Sequence, residues 1–167
     1  PIKVTSKKND WHENHLRDQF QRNSLSKGYK NYDDNDLIMI SDIDEIPDPK
    51  KINDFKVKDR YAVFQQKHFY YKINLQSQNY PYWLGTRICV KKFLKSPQWL
   101  RNIKIRKRNI FKRYLFNMNY KIISEGGWHF SNIKSPEKII EKTNAFCHGE
   151  LNQEKFKKEN LIKNKIE

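Results

Sequence analysis

The sequence predicts an α/β or α+β domain. Short apolar runs bounded by turn residues alternate along the chain with stretches that carry helix-capping signals. Strands and helices are therefore mixed along the chain, as is typical of these classes. The chain has 167 residues and contains neither an internal repeat nor a Gly/Ser-rich linker. We expect residues 1–167 to form one domain.

The first predicted helix runs from Asp10 to Gly28. Asp10 and Glu13 have the spacing of a capping box, and a glycine commonly ends a helix. Polar turn residues follow, and then a short apolar run at 37–41 predicts a strand buried on both faces of a parallel sheet. The helix should present an apolar inner face made of Trp11, Leu16, Phe20 and Leu25.

Four more strands are predicted where β-branched and aromatic residues are concentrated. The segment 97–108 is mixed and basic and predicts no element. The strands are Tyr61–Phe64, His68–Leu75, Arg87–Val90 and Lys121–Ser124.

Two more helices are predicted near the end of the sequence. The first should begin at Ser135 and Pro136, because serine is favoured at the N-cap and proline at the first helical position. A last basic helix is expected from Asn152. The predicted inner face of the earlier helix contains Ile139, Ile140 and Thr143.

Three acidic residues directly follow the strand at 37–41, namely Asp42, Asp44 and Glu45, and Pro47 should then end the strand pairing. Carboxylates this close repel one another unless water or a cation reaches them. Hard ions such as Mg²⁺ or Mn²⁺ bind carboxylates together with substrate phosphates, and α/β sheets bind ligands at the carboxyl ends of their strands. We therefore predict a metal site at Asp42 and Asp44, with an ordinary turn as the alternative.

Four segments occur in an order that resembles one enzyme family. They are Glu13–Asn23 (ENHLRDQFQRN), Leu37–Pro47 with its D-x-D-E-I-P pattern, Gly126–Ser131 (GGWHFS) and Lys138–Asn152 with its H-G-E-L-N ending. Together they resemble the glycosyltransferases related to β-1,4-mannosyl-glycoprotein β-1,4-N-acetylglucosaminyltransferase, which is glycosyltransferase family 17. Members of this family carry a further N-terminal portion with the first strands of the nucleotide-binding fold. We therefore expect this chain to correspond to the later two-thirds of the family domain.

The resemblance implies a GT-A-like, Rossmann-like mixed sheet flanked by helices. It also implies transfer of N-acetylglucosamine or a similar hexose, with inversion, from a UDP-linked nucleotide sugar to a glycan or glycoconjugate acceptor. A Mn²⁺ or Mg²⁺ ion between Asp44 and the diphosphate would neutralise the leaving group. Asp42 would bind this metal through water or hold the ribose, and Glu45 would orient a ligand or a basic residue.

An inverting reaction needs a base that takes the proton of the acceptor hydroxyl. The candidates are Glu125, Glu150 and His129, and Glu125 is slightly favoured. It precedes Gly126 and Gly127, whose missing side chains would allow a substrate to approach closely. The alternative is that Glu125 is a solvent-exposed acid in a loop.

Further residues are candidates for binding. His148 would complete the metal shell or, alternatively, cap a helix. Trp128 would offer a flat apolar face to a sugar ring or lie in the core. Three arginines suit phosphate or uracil edges, although a surface pair with Glu13 is the alternative for the first: Arg17, Arg22 and Arg87.

The formal net charge of +15 predicts attraction to polyanions and leaves other functions open. A basic nucleic-acid-binding module would use exposed aromatics for stacking, but no RNP, zinc-finger or helix-turn-helix pattern occurs, so we expect no specific nucleic acid partner. A metal-dependent phosphoryl-transfer enzyme would use the same acids, but a Gly-rich phosphate loop is missing. The aromatic candidates are Tyr70, Tyr71, Tyr80, Tyr82 and Trp83.

The two cysteines, Cys89 and Cys147, are too few for a disulfide framework, and we expect free thiols. No apolar run has the length of a transmembrane segment. These features favour a cytoplasmic location of a bacterial or viral type.

Overall fold

The computed structural model describes residues 10–103 and 120–145. This part of the chain contains helices α1, α2 and α3, strands β1 to β6, and short 3₁₀ turns. The predictions for Cys147 and for a helix from Asn152 lie outside it. The helices are Asp10–Ser24, Pro97–Asn102 and Pro136–Ala145, and the strands are Leu37–Ile40, Glu45–Pro47, Tyr61–Tyr70, Tyr82–Val90, Tyr120–Ile123 and Gly127–Ser131.

The strands form one mixed sheet in the order β1-β4-β3-β6-β2, and β5 also pairs with β3. Strand β4 runs antiparallel to β3 along one edge. Along the other edge, β5 and β6 run parallel to the first and second halves of β3. The predicted mixture of strands and helices is confirmed, while the GT-A-like arrangement stays a prediction.

Strand β1 differs from its prediction. Its neighbour in the described part of the chain is β4, and the two strands are antiparallel, so the predicted parallel neighbour is not observed there. Ile38 and Ile40 are buried, Met39 packs partly against the opposite face, and Leu37 is exposed. The short apolar run is explained by cores on both faces of the sheet, which cover a strand at the sheet's edge almost as fully as a central one.

Strand β2 was not predicted, because Pro47 was expected to end pairing. The chain instead returns to the sheet after the acids and pairs with β6 from Glu45 to Pro47, where Pro47 lies opposite Gly127. Proline is tolerated here because β2 is an edge strand and Pro47 is its last residue, so the missing N–H interrupts no ladder.

The central strands are longer or shorter than predicted. The predicted strand Tyr61–Phe64 continues without interruption to Tyr70, and the predicted extension to Leu75 is wrong, because Tyr71 has a positive φ of 67° that turns the chain. Strand β4 begins at Tyr82 rather than Arg87, and an irregularity opposite Phe64 separates its two halves.

Hydrophobic clusters lie on both faces of the sheet, because consecutive residues of β3 and β4 point to opposite sides. Tyr61 and Cys89 belong to one cluster, and their neighbours Ala62 and Ile88 to the other. Burial raises the pKa of the Cys89 thiol to about 12, and Cys89 is a free cysteine as predicted. The cluster of Ala62 and Ile88 also holds Phe55, Phe64, Val90 and Ile123, and the cluster of Tyr61 and Cys89 also holds Ile38, Ile40 and Leu100.

Helix α1 ends at Ser24 and continues as a 3₁₀ turn, Leu25–Tyr29, so Gly28 lies inside this turn rather than ending the helix. Phe20 and Leu25 are exposed, so the predicted apolar inner face is wrong at these two positions. The helix is held instead by polar contacts, among them the one from the Gln98 backbone N–H to Asn23 Oδ1 at 3.1 Å.

Helix α2 lies within the segment for which no element was predicted. Ser96 caps it by accepting a hydrogen bond from the Trp99 N–H at 3.1 Å, and Pro97 takes the first helical position. Leu100 is fully buried, and the Trp99 ring packs edge-on against Tyr61 with 5.8 Å between centroids. Helix α3 begins at Pro136 with Ile139 buried, as predicted. None of the helices in residues 10–103 and 120–145 combines the length and apolar character of a membrane span.

Candidate active site

The carboxylate of Glu45 lies buried at the centre of a polar cluster. Arg101, from α2, donates from Nη1 to Glu45 Oε2 at 3.0 Å and from Nη2 to Oε1. Trp83, from β4, donates from Nε1 to Oε1 at 2.8 Å. A buried carboxylate is tolerated only with such partners, because desolvation penalises its charged form.

Asp42 is bound by two arginines. Its Oδ2 accepts from Arg101 Nη2 at 2.6 Å, and its Oδ1 lies 3.5 Å from Arg22 Nη2. Arg22 is in turn fixed by Asp18 at 2.9 Å and by Gln98 Oε1 at 2.5 Å. The repulsion expected between the neighbouring acids is therefore relieved by guanidinium groups of the chain itself.

Asp44 points to a different partner. Its Oδ1 lies 3.6 Å from His129 Nε2, and its backbone oxygen accepts from the Phe130 N–H at 2.9 Å. The adjacent His129 ring is the main reason why the pKa of Asp44 lies below its ordinary value. The side chain is 32% exposed. Asp44 is thus ionised near neutral pH and within reach of a ligand.

His129 connects Asp44 to an aromatic stack. Its ring stacks on Trp83 with 4.8 Å between centroids, and the His68 ring lies 4.8 Å away on another side. The Ser131 hydroxyl lies 3.2 Å from His68 Nε2 and 3.5 Å from His129 Nε2. Burial lowers the pKa of His68, which favours its neutral form. We call Asp42, Glu45, Trp83, Arg101 and His129 the Glu45 cluster.

The metal site predicted at Asp42 and Asp44 stays a prediction. In the ranges 10–103 and 120–145, no three His, Cys, Asp or Glu side chains are grouped to hold an ion. Asp44 fits a hard cation, because it is ionised, partly exposed and not bound by an arginine. Asp42 does not fit as a second ligand while Arg101 and Arg22 occupy both of its oxygens.

An exposed row of side chains crosses the opposite face of the same strands. Ile46, Trp128, Lys67 and Tyr82 are register partners in β2, β6, β3 and β4. Ile46, Trp128 and Tyr82 are each between 40% and 49% exposed. We call these four residues the Trp128 row. It offers a partly apolar surface with one cation at its centre.

Glu125 lies beside this row, at the turn between β5 and β6. Its Oε2 forms an ion pair with Lys67 Nζ at 2.9 Å, and Lys67 is the main reason why the pKa of Glu125 lies below its ordinary value. Gly126 pairs with Asp48 and Phe130 with Asp44, so about 13 Å of strand separates Gly126, the residue after Glu125, from the position of Asp44.

A family comparison supplies what the geometry alone does not. The model of glycosyltransferase family 17 matches residues 2–167. The chain belongs to glycosyltransferase family 17. Membership supports glycosyltransferase activity and implies a sugar donor and a glycan acceptor. Searches of curated proteins and of solved structures found no match.

The site residues predicted for this family 17 chain fall into separate groups. His129, Asp42 and Arg22 come together in and around the Glu45 cluster, and Asp44 contacts His129. Glu125 and Trp128 lie with Lys67 on the other face of the strands. Arg17 is exposed on α1, and Arg87 lines a pocket beside β4. His148 and Glu150 lie outside the described residues.

The chain's own packing explains the glycine pair after Glu125. A Cβ on Gly126 would meet Phe64 and the Ile123 carbonyl oxygen at 2.9 Å. Gly127 has a φ of 127° and lies against the backbone of β2. The missing side chains leave room for the chain's own packing, so they do not argue for a substrate at this point.

Two residues of this region in the family 17 chain, Arg101 and His68, were missed from the sequence, and Trp83 was named only as a stacking aromatic of the nucleic-acid alternative. Arg101 reaches across 56 positions to Glu45, and nothing in the local pattern of residues connects the two. Gly85 carried a usable signal, because glycine inside a strand often marks a close approach. A side chain there would collide with Gln66 and with the Glu45 carboxylate.

Proposed function

We propose that this chain transfers a hexose, such as N-acetylglucosamine, from a UDP-linked donor to a glycan acceptor with inversion. The family match over residues 2–167 carries the proposal. The D-x-D-E-I-P segment supports a donor site at the end of β1, where Asp44 presents an ionised and partly exposed carboxylate. A cytoplasmic location is part of the proposal.

Asp44 would hold a Mn²⁺ or Mg²⁺ ion, with His148 as a further ligand. Such ions need only one or two carboxylates when substrate phosphates complete the shell. When bound, the ion supplies positive charge to the leaving diphosphate. Asp42 and Glu45 act through Arg101, because their ion pairs fix the loop from which Asp44 projects.

The acceptor side of the reaction is proposed at the Trp128 row. Exposed aromatic rings suit the apolar faces of sugars, and Lys67 adds a hydrogen-bond donor. The base is proposed to be Glu125 or Glu150. His129 is disfavoured, because it contacts the proposed metal ligand Asp44, and the base of an inverting reaction acts from the far side of the sugar.

Asp44→Asn tests the proposal directly. We expect release of UDP from UDP-N-acetylglucosamine to require Mn²⁺ in the wild-type chain, to stop with EDTA and to fall by at least about 100-fold in Asp44→Asn. The free energy of unfolding should change by less than about 1 kcal/mol, because Asp44 is a partly exposed, screened partner of His129. Coupled UDP detection and urea unfolding measure the two effects.

Asp48→Asn is the matched control, since Asp48 lies beyond β2 and bonds the Lys50 N–H. It should leave turnover unchanged. Calorimetry that detects no binding of UDP, with or without Mn²⁺, would remove the nucleotide-sugar proposal. A loss of stability above about 3 kcal/mol in Asp44→Asn would make Asp44 a structural residue instead.

A further inference from the structure

A pocket of about 630 Å³ lies beside the first half of β4. Strand β1 pairs with β4 only from Arg87 onward, so in the described sheet residues 82–84 have β3 as their single neighbour. Tyr82 and Trp83 point to opposite faces, and both line the pocket, which therefore wraps around this edge. Its volume lies in the range of small-molecule sites.

Two guanidinium groups line the pocket, and they differ in their partners. Arg101 is bound by Glu45 and Asp42. Arg87 is different, because its Nε and Nη1 are buried and donate to no acceptor in the described part of the chain. Arginine stays charged under ordinary conditions, so a buried and unpaired guanidinium is costly unless an anion joins it.

The surroundings of Arg87 make its charge more costly still. Burial and the neighbouring Arg101 lower the pKa of Arg87 to about 10, although Glu45 partly opposes them. The Glu45 carboxylate is already shared with Arg101 and Trp83. The anion that would balance Arg87 must therefore come from outside the Glu45 cluster.

We propose that the pocket beside β4 is an oxyanion site, in which the Arg87 side chain turns so that its buried, unpaired Nε and Nη1 groups bind a phosphate-type group. A planar guanidinium presents paired donors that match two oxygens of a phosphate. The Tyr82 and Trp83 rings, which are 44% and 40% exposed, offer an apolar wall to the ring attached to that phosphate. A phosphorylated sugar or a nucleoside diphosphate has this combination of parts.

The assignment to the donor's diphosphate rests on the proposed function, whereas the oxyanion pocket itself does not. In that assignment Arg87 neutralises charge on the leaving group from within the protein. The contribution would add to the one that a metal at Asp44 supplies.

The test is calorimetric titration with pyrophosphate. The ionic strength is kept fixed, because the net charge of +15 attracts any anion weakly. We expect the wild-type chain to bind, and Arg87→Gln to bind at least about 10-fold more weakly, as expected for loss of charge-assisted hydrogen bonds. Lys134→Gln is the control with the same change in charge, because Lys134 is exposed. It should bind like the wild type.

Two outcomes overturn the proposal: no binding to the wild type, or equal binding to Arg87→Gln and the control. Arg87→Lys is a second variant that keeps the charge and loses the fork, and it should bind with intermediate affinity. If Arg87→Gln does not fold, the melting temperature of the wild type is compared in pyrophosphate and in sodium chloride. A melting temperature that pyrophosphate raises no more than sodium chloride does would contradict the site.

Titrations with further ligands show whether the phosphate bound in the pocket belongs to the donor or to the acceptor. Tighter binding of UDP than of pyrophosphate, lost in Arg87→Gln, assigns the pocket to the donor. Tighter binding of a hexose 6-phosphate assigns it to a phosphorylated acceptor. These titrations measure binding alone. Arg87-dependent binding therefore retains the pocket even if the separate UDP-release assay detects no turnover and so rejects the proposed reaction.

Discussion

The Glu45 cluster and the Trp128 row are built from adjacent residues of the same strands. Glu45 and Ile46 are neighbours, as are His129 and Trp128, and Trp83 and Tyr82. In each pair one side chain joins the polar cluster, in which Glu45 and His129 are buried, and the other lies in the exposed row. Because side chains alternate along a strand, consecutive residues contribute to the cluster on one face of the sheet and to the row on the other.

The two faces differ in what their charges can do. In the Glu45 cluster the charges are saturated by one another, since Arg101 donates to both Glu45 and Asp42. In the Trp128 row the Lys67–Glu125 pair is almost half exposed on both sides and can exchange partners. The difference teaches that Asp42 and Glu45 are bound by side chains of the protein itself, whereas Asp44 and the Trp128 row are partly exposed.

The largest expected effect comes from breaking the buried face. Arg101→Met leaves the Glu45 carboxylate buried without its cation, and we expect a loss of about 3–5 kcal/mol in the free energy of unfolding. Urea unfolding measures it. The double variant Arg101→Met with Glu45→Gln should recover part of the loss, because the uncompensated charge is removed.

Arg60→Met is the control, since Arg60 lies over the Phe93 ring at 5.1 Å and should cost less than about 1 kcal/mol. Equal effects of the two arginine variants would show that the Glu45 cluster is not a special source of stability.

A variant on the exposed side probes catalysis instead. If the base is Glu125, Glu125→Gln should lower kcat by about 10²- to 10⁴-fold with little change in stability. Lys67→Met should move the acidic limb of the pH–rate profile to higher pH, because Lys67 holds the pKa of Glu125 low. Initial rates between pH 4 and 8 provide the measurement.

Glu150→Gln is the matched comparison for Glu125. Wild-type turnover in Glu125→Gln, together with a large loss in Glu150→Gln, would move the base away from the Trp128 row. The row would then retain a role in acceptor binding alone.

The smallest expected effect is a pH dependence of the free energy of unfolding, which arises from His68. The folded-state pKa of His68 is lowered by burial, so its neutral form stabilises the fold fully above the unfolded value of about 6.5. As the pH falls below 6.5, the unfolded chain binds a proton first, and stability declines by less than about 1 kcal/mol after screening. Unfolding at pH 7.5 and 5.5 measures this decline.

His68→Gln should show a shallower decline over the same interval. The difference between the two chains isolates the contribution of His68. An identical decline would mean that His68 titrates alike in the folded and unfolded chains.

Much of the local structure could be predicted from the sequence. The strand at 37–40 and the start of α3 at Pro136 follow from apolar runs and capping residues, which act over a few positions. Strand β2 and helix α2 were missed, because Pro47 and the basic segment after Pro97 obscured the pattern. Tertiary contacts decide such elements: β2 exists because β6 pairs with it, and α2 because Leu100 is buried.

The sequence by itself determined the family, the mixed class of the fold and the position of the acids after a strand. Only the tertiary structure decided which arginine or histidine side chain contacts each acidic residue. Arg101 reaches Asp42 and Glu45 because α2 packs beside β1, and strand register places His129 next to Glu45. The physical reason is range: capping and alternation act within a few residues, whereas ion pairs depend on distances that only the packed sheet and helices fix.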